Sequence, residues 1–225
     1  MHIEPGIVHG AKMALAYATA AGGATYAAKM ALDTIRENGV ASLAIRSVLA
    51  TVATFVFFEL LPHFPVGVSE VHFILGSTLL LMLGTAPAAI GLALGLLFQG
   101  LFFAPTDMPM YFVNLTTLLV PLIAISALAK KIIAPDTRYV DLGYVQALKL
   151  STAYQGGVVA WVAFWAFYGQ GFGADTMTSV LAFGGAYMMV VLIEPLVDLA
   201  VLAGAKSLTG LRGSGLVNPR VFDAA

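Results

Sequence analysis

The chain begins Met1-His2-Ile3-Glu4-Pro5-Gly6, and a free amine followed by histidine at position two is a chelating start. The Met1 amine, the backbone nitrogen of His2 once deprotonated, and the His2 imidazole close a five-membered and a six-membered ring around one cation. One further imidazole would complete a planar set of nitrogens, and His72 is the candidate. Planar nitrogen sites select Ni(II) or Cu(II), whereas oxygen-rich octahedral sites suit Mg(II) and Ca(II). The chain has 4 histidines and no cysteine. Thiolate sites, disulfides and a cysteine nucleophile are therefore excluded, and a metal must be held by nitrogen or oxygen. The competing account makes His2 a frayed terminal residue and His72 an interfacial histidine satisfied by hydrogen bonds.

Other chemistry-bearing residues are fewer. His9 is a further candidate imidazole ligand, set against a capping or hydrogen-bonding role near the interface. His63, between Pro62 and Pro65, is expected to be solvated. Glu194 and Asp198 lie four apart and share a helix face. Acids within a membrane are functional candidates because burying their charge is costly, so this pair is either an ion relay or a hydrogen-bonded packing element. Glu59 reaches towards the interface. No G-x-x-x-x-G-K-[ST] and no H-E-x-x-H occurs, and GLRGSG lacks the strand and spacing of a dinucleotide loop. The chain is not read as an enzyme and carries no ATPase motif of its own.

These residues must be positioned by an unusually apolar chain. Of 225 residues, 60% are hydrophobic and 10% charged, against about 25% charged in an ordinary globular domain. The composition defines an integral membrane protein, all-α, with the lipid bilayer as its surroundings. The net charge of -1 says nothing about nucleic acid, but no basic stripe interleaved with aromatics is present, and no nucleic-acid partner is expected. A spanning helix needs about 20 apolar residues, and about seven candidates fit: roughly 7–30, 40–61, 71–84, 87–104, 110–129, 145–168 and 177–203. Breakers separate them, among them Glu37-Asn38-Gly39, Pro105-Thr106-Asp107-Met108-Pro109 and Gly169-Gln170-Gly171. No linker divides the chain, so residues 1–225 are expected to form a single membrane domain, with 1–6 as a metal-binding segment.

Lysine and arginine concentrate in cytoplasmic loops. With the N-terminus outside and the C-terminus inside, every one of the 11 cations except Lys12 falls on the inner side. If the short third stretch is re-entrant, the parity changes. MHIEPG lacks the basic n-region of a secretory signal, so Met1 is expected to be the true N-terminus. The bulk of His2 hinders removal of the initiator methionine. His2 and His72 then meet at one membrane surface. Small residues at helical spacing, Gly91 with Gly95, Ala16 with Ala20 and Ala200 with Gly204, permit close helix approach, either internally or to a partner. A proton- or ion-coupled carrier using Glu194, Asp198 and Glu59 is the alternative, although no paired half with broken helices is visible. A retinal-type receptor would need a lysine in mid-membrane in the last span, and Lys206 lies beyond its inner end.

The opening MHIEPG resembles the MHI-x-x-G start of the CbiM/NikM family, the substrate-binding membrane components of cobalt and nickel energy-coupling factor transporters. VSEVHFILGSTLLLMLG resembles that family's second histidine segment. LGLLFQGLFF with Gln99 follows, then an outer loop and YFVNL with Asn114. The resemblance covers Met1 to about Ala129 and, more loosely, the last helix. It implies that Met1, His2 and His72 ligate the metal, with Gln99 and Asn114 beside them as supports. It further implies Ni(II) or Co(II) as transported substrate, no permanently bound cofactor, and a multi-pass place in the inner (plasma) membrane. The implied partners are a transmembrane coupling component and two ATPase subunits. Two stretches depart from the family pattern. Glu70 stands before His72 where members carry small polar residues, and FAPTDMPMYFVN replaces a glycine-rich stretch and a small-residue pair.

Overall fold

The structure is a computed structural model that describes residues 2–224; Met1, the first of the expected chelating groups, lies outside the described residues. Along this apolar chain the backbone N–H and C=O groups must find partners within the chain, because hydrocarbon offers none, and helix is the local solution. Among the described residues the α-helices are α1 (Met13–Phe55), α2 (Gly76–Leu83), α3 (Thr85–Phe102), α4 (Tyr111–Ile132), α5 (Tyr144–Gln170), α6 (Ala174–Met188) and α7 (Glu194–Ser207). A π-helical turn, Val56–Leu60, prolongs α1. A two-stranded hairpin, β1 (Phe64–Val66) and β2 (Ser69–Val71), precedes α2. Large apolar side chains such as Val48, Leu181 and Leu196 point outward, as lipid requires and water would not.

Helix α1 is two antiparallel legs. Gly39, at φ 83° and ψ 160°, breaks it, a conformation that favours a residue without Cβ. Tyr17 packs against Phe112 at the start of α4, and Phe55 packs against Phe98 and Phe103 at the end of α3. Both ends of α1 therefore lie at one end of the bundle and Gly39 at the other, as the Glu37-Asn38-Gly39 breaker anticipates. The second leg lies hard against α3. A Cβ on Gly91 would stand 2.2 Å from that of Ala50, and one on Gly95 would stand 2.7 Å from that of Thr54. This small-residue stripe is used inside the chain. Ala16 and Ala20 are buried as well, whereas Ala200 and Gly204 are exposed.

Two expected spans differ from what is observed. In the stretch 71–84, Val71 ends a strand and only the 8 residues Gly76–Leu83 are helical, a rise of about 12 Å that is too short for this helix to cross a membrane by itself. Residues 177–203 are not one helix, because a 3-10 turn, Met189–Leu192, separates α6 from α7. Pro195, which has no N–H to donate, stands at the start of α7. By length and composition, four helical stretches suffice to cross a membrane: Gly10–Leu60, Thr85–Phe102, Pro105–Ile132 and Ala174–Ser207.

The short helix α2 sits inside the bundle, held by charges at both ends. At its start, Leu75 N–H donates to Glu194 Oε1 at 3.1 Å and Ser77 Oγ donates to Asp198 Oδ2 at 2.8 Å. The Thr78 hydroxyl also donates to Asp198. At its end, Arg46 Nη1 donates to the Leu83 carbonyl at 3.0 Å. Acids at the N-terminus and a guanidinium at the C-terminus follow the helix dipole and satisfy groups that a helix leaves unpaired at its ends. Glu194→Ala, which strands the Leu75 N–H, is expected to cost about 1–3 kcal/mol. Glu194→Gln keeps an acceptor and should cost much less, and thermal unfolding in detergent compares the two variants.

Candidate metal centre

The N-terminal segment is stitched into the bundle as a third strand. Ile3 bridges to Ser69 in antiparallel fashion. Glu70 N–H donates to the His2 carbonyl at 3.1 Å, and Glu4 N–H donates to the Val68 carbonyl at 3.2 Å. Ser69 Oγ adds a bond of 2.9 Å to the same His2 carbonyl. From α4, Asn114 Oδ1 accepts the Ile3 N–H at 2.9 Å. Ile3 is fully buried, so this residue anchors the segment through an apolar side chain and two neighbouring elements at once.

That pairing brings His2 and His72 together. Both imidazoles are buried, at 5% and 1% exposure, and their ring centres lie 5.4 Å apart. Between them stands Glu70, on β2 opposite Pro65. Its Oε2 is 3.0 Å from His2 Nδ1 and 2.9 Å from His72 Nε2. One ligand atom from each of His2, Glu70 and His72 falls within 4.8 Å of the others. Asp107 Oδ2 approaches His2 Nδ1 at 3.1 Å. Phe58, from the π-helical turn, packs against both imidazoles.

Burial holds the His2 imidazole below the ordinary histidine range. Burial alone would raise Glu70, but hydrogen bonds from His2 and His72 hold its carboxyl well below the usual range. Each ring then directs an N–H at the anionic Glu70 oxygen, and that nitrogen offers a lone pair to a cation only once its proton leaves.

The remaining expected residues are placed as follows. Asn114 holds the segment that bears His2. Gln99 makes no hydrogen bond to either histidine among the described residues; its Nε2 donates to Glu59 Oε2 at 3.1 Å, so it braces the turn that carries Phe58. His9 is exposed and outside the cluster. His63, expected to be solvated, is half-buried and stacks on His72, with ring centres 4.8 Å apart and planes at 11°. Leu75, three residues after His72, has φ 52°, a costly region for a leucine. Glu194 holds its N–H there.

Glu70 and Asp107 are the site residues that sequence reasoning missed. Each lies in one of the two stretches that depart from the family pattern, which was the available signal, but an acid in an outer loop reads as solvated.

A family model described as "Cobalt uptake substrate-specific transmembrane region", CbiM, matches residues 2–208. No curated protein and no solved structure matches the chain significantly.

Asn114→Leu removes the acceptor of a buried N–H. It should speed amide hydrogen exchange at Ile3 and weaken metal binding about tenfold or more, as loss of a supporting residue commonly does. Mass-resolved exchange and calorimetry read the two effects.

Proposed function

The chain belongs to the CbiM family of cobalt uptake substrate-specific transmembrane regions, and from that premise we propose that it is the metal-capture subunit of an uptake system for Co(II) or Ni(II). As a member of that family it is a multi-pass inner-membrane protein of transport. The ligands in this reading are the Met1 amine, the backbone and imidazole nitrogens of His2, and His72 Nε2, with Asn114 and Gln99 as supports. One observation carries it: a segment of backbone hydrogen bonds and a buried Ile3 bring a position-two histidine against the second histidine, with nitrogens of both facing one point. A frayed terminus would have no such pairing. The captured ion would pass inward through a transmembrane coupling component driven by two ATPases.

The carrier reading based on Glu194, Asp198 and Glu59 has less support. Both oxygens of Glu194 and both of Asp198 accept hydrogen bonds from Leu75, Ser151, Ser77 and Thr78, and Glu59 accepts from Gln99. Glu194 and Asp198 thus have a structural occupation at the start of α2, and Glu59 has one in holding Gln99.

Counting the two legs of α1, the stretch 72–83, α3, α4, α5 and the α6–α7 pair gives seven passes in this reading. Arg46, Lys130, Arg138, Lys206, Arg212 and Arg220 gather at the end away from His2, which would face the cytoplasm. Because the chain has no cysteine, single cysteines report sidedness cleanly. Phe172→Cys, in the loop after α5, should react with an impermeant maleimide on intact cells. Leu208→Cys should react only after permeabilisation, and the reverse pattern would overturn the orientation.

Calorimetry of Ni(II) and Co(II) binding in detergent tests the ligands. One residue added before Met1, or His72→Ala, should abolish tight binding, while Glu194→Gln should leave it intact. Unchanged binding in both of the first two variants would sink the chelate.

A further inference from the structure

Beyond the strand pairing, the N-terminal segment comes to rest on the end of α5. Ile7 N–H donates to the Glu4 carbonyl at 3.2 Å and closes a turn, after which Ile7 and Val8 are both buried. The Ile7 carbonyl lies against Gly169. A Cβ on that glycine would stand 2.0 Å from the Ile7 oxygen and 2.8 Å from its carbonyl carbon. Backbone cannot swing aside as a flexible side chain does, so the segment lies here only because residue 169 has no Cβ. Ending the helix does not require this glycine. Gly171, at φ 85°, does that, and its N–H donates to the Phe167 carbonyl at 2.8 Å. Gly169 stands inside α5, where alanine would be the better helix former.

Lys12 fastens the other end of the same segment. Its Nζ donates to the Gly169 carbonyl at 2.7 Å and stands 5.8 Å from the centre of the Tyr168 ring. A cation on the last carbonyls of a helix follows the dipole and satisfies a group that the helix leaves open. The hairpin is seated in a similar way on α6, where a Cβ on Gly67 would stand 2.1 Å from the Ser179 carbonyl oxygen. Residues 171–173 join α5 to α6. Both sides of the strand pairing therefore bear on one helical corner, which carries none of His2, Glu70 and His72.

Resting on the metal-capture reading, we propose that Gly169 and Lys12 are positioning residues, which make the end of α5 a seat that holds residues 2–8 at the height where His2 meets the hairpin and His72. The seat acts through the Ile7 carbonyl and the turn from Glu4 to Ile7, not through contact with an ion.

Gly169→Ala tests this, with Gly156→Ala as its control. Gly156 is on the same helix, and a Cβ there would meet no atom within 4 Å. Amide hydrogen exchange and Ni(II) calorimetry in detergent, on protein with its native start, read the outcome. Gly169→Ala should speed exchange at Glu4 and Glu70, whose N–H groups make the pairing bonds, and leave Leu79 in α2 unchanged. It should also weaken Ni(II) binding about tenfold or more, as loss of a supporting contact commonly does. Gly156→Ala should do neither. Lys12→Met, which keeps the stem and removes the charge, should act in the same direction by less, and Lys12→Arg should restore the unaltered behaviour. Unchanged exchange or unchanged Ni(II) affinity in Gly169→Ala overturns the proposal, and so does an effect that Gly156→Ala shares equally. Failure of the unaltered protein to bind Ni(II) or Co(II) would instead overturn the capture reading, while exchange at Glu4 and Glu70 still decides whether the seat holds the segment.

Discussion

The pairing of residues 2–4 with the 64–71 hairpin is the contact on which the centre depends. Without it His2 would lose its register against Glu70 and His72. The backbone bonds from Glu70 and Glu4 set the register, and a strand shifted by one residue would turn His2 away from Glu70 and Ile3 out of its pocket. Asn114 checks the same register from α4 by accepting the Ile3 N–H. A polar side chain buried in the membrane bundle thus has its partner, and the partner is the segment that carries the candidate ligand.

A second constraint comes from the medium. Between His72 and α2 the backbone is not helical, and in hydrocarbon such a stretch survives only where protein surrounds it. The bundle meets this with charged groups that would be costly in isolation. Glu194 takes the N–H of left-handed Leu75, Asp198 takes the hydroxyls of Ser77 and Thr78, and Arg46 closes the far end at Leu83. The intramembrane acids and the buried arginine are thereby explained as ends of one short helix. Their distance in sequence from His72 conceals that they position the segment following it.

How much of this could be read beforehand follows from the range of the forces involved. Membrane character and the break at Gly39 are local properties of composition and turn chemistry, so they were legible. The convergence of His2 and His72 was legible because a position-two histidine has a chemistry of its own and charge asymmetry sets sidedness. The eight-residue length of α2 was not, because the apolar run 71–84 looks the same whether extended or helical. Nor was the interruption at Met189–Leu192, where apolarity continues straight through. Glu70 and Asp107 escaped notice for another reason: only tertiary contact distinguishes a solvated loop acid from one 3.0 Å or 3.1 Å from a buried imidazole.

The division of labour between segment and bundle has an energetic consequence. The hydrogen bonds that hold residues 2–4 number only a few, each worth about 1 kcal/mol net, beside the burial of Ile3. The clamp on α2 is made by different residues and shares none of these bonds. Breaking these bonds would separate His2 from His72 and Glu70 while leaving every bond of the α2 clamp in place. A centre assembled from residues 2–4 and a hairpin draws its donors from elements outside the packed helices. Ligands drawn from the interiors of helices packed as closely as α1 and α3 at Gly91 would instead tie the geometry of the centre to that packing.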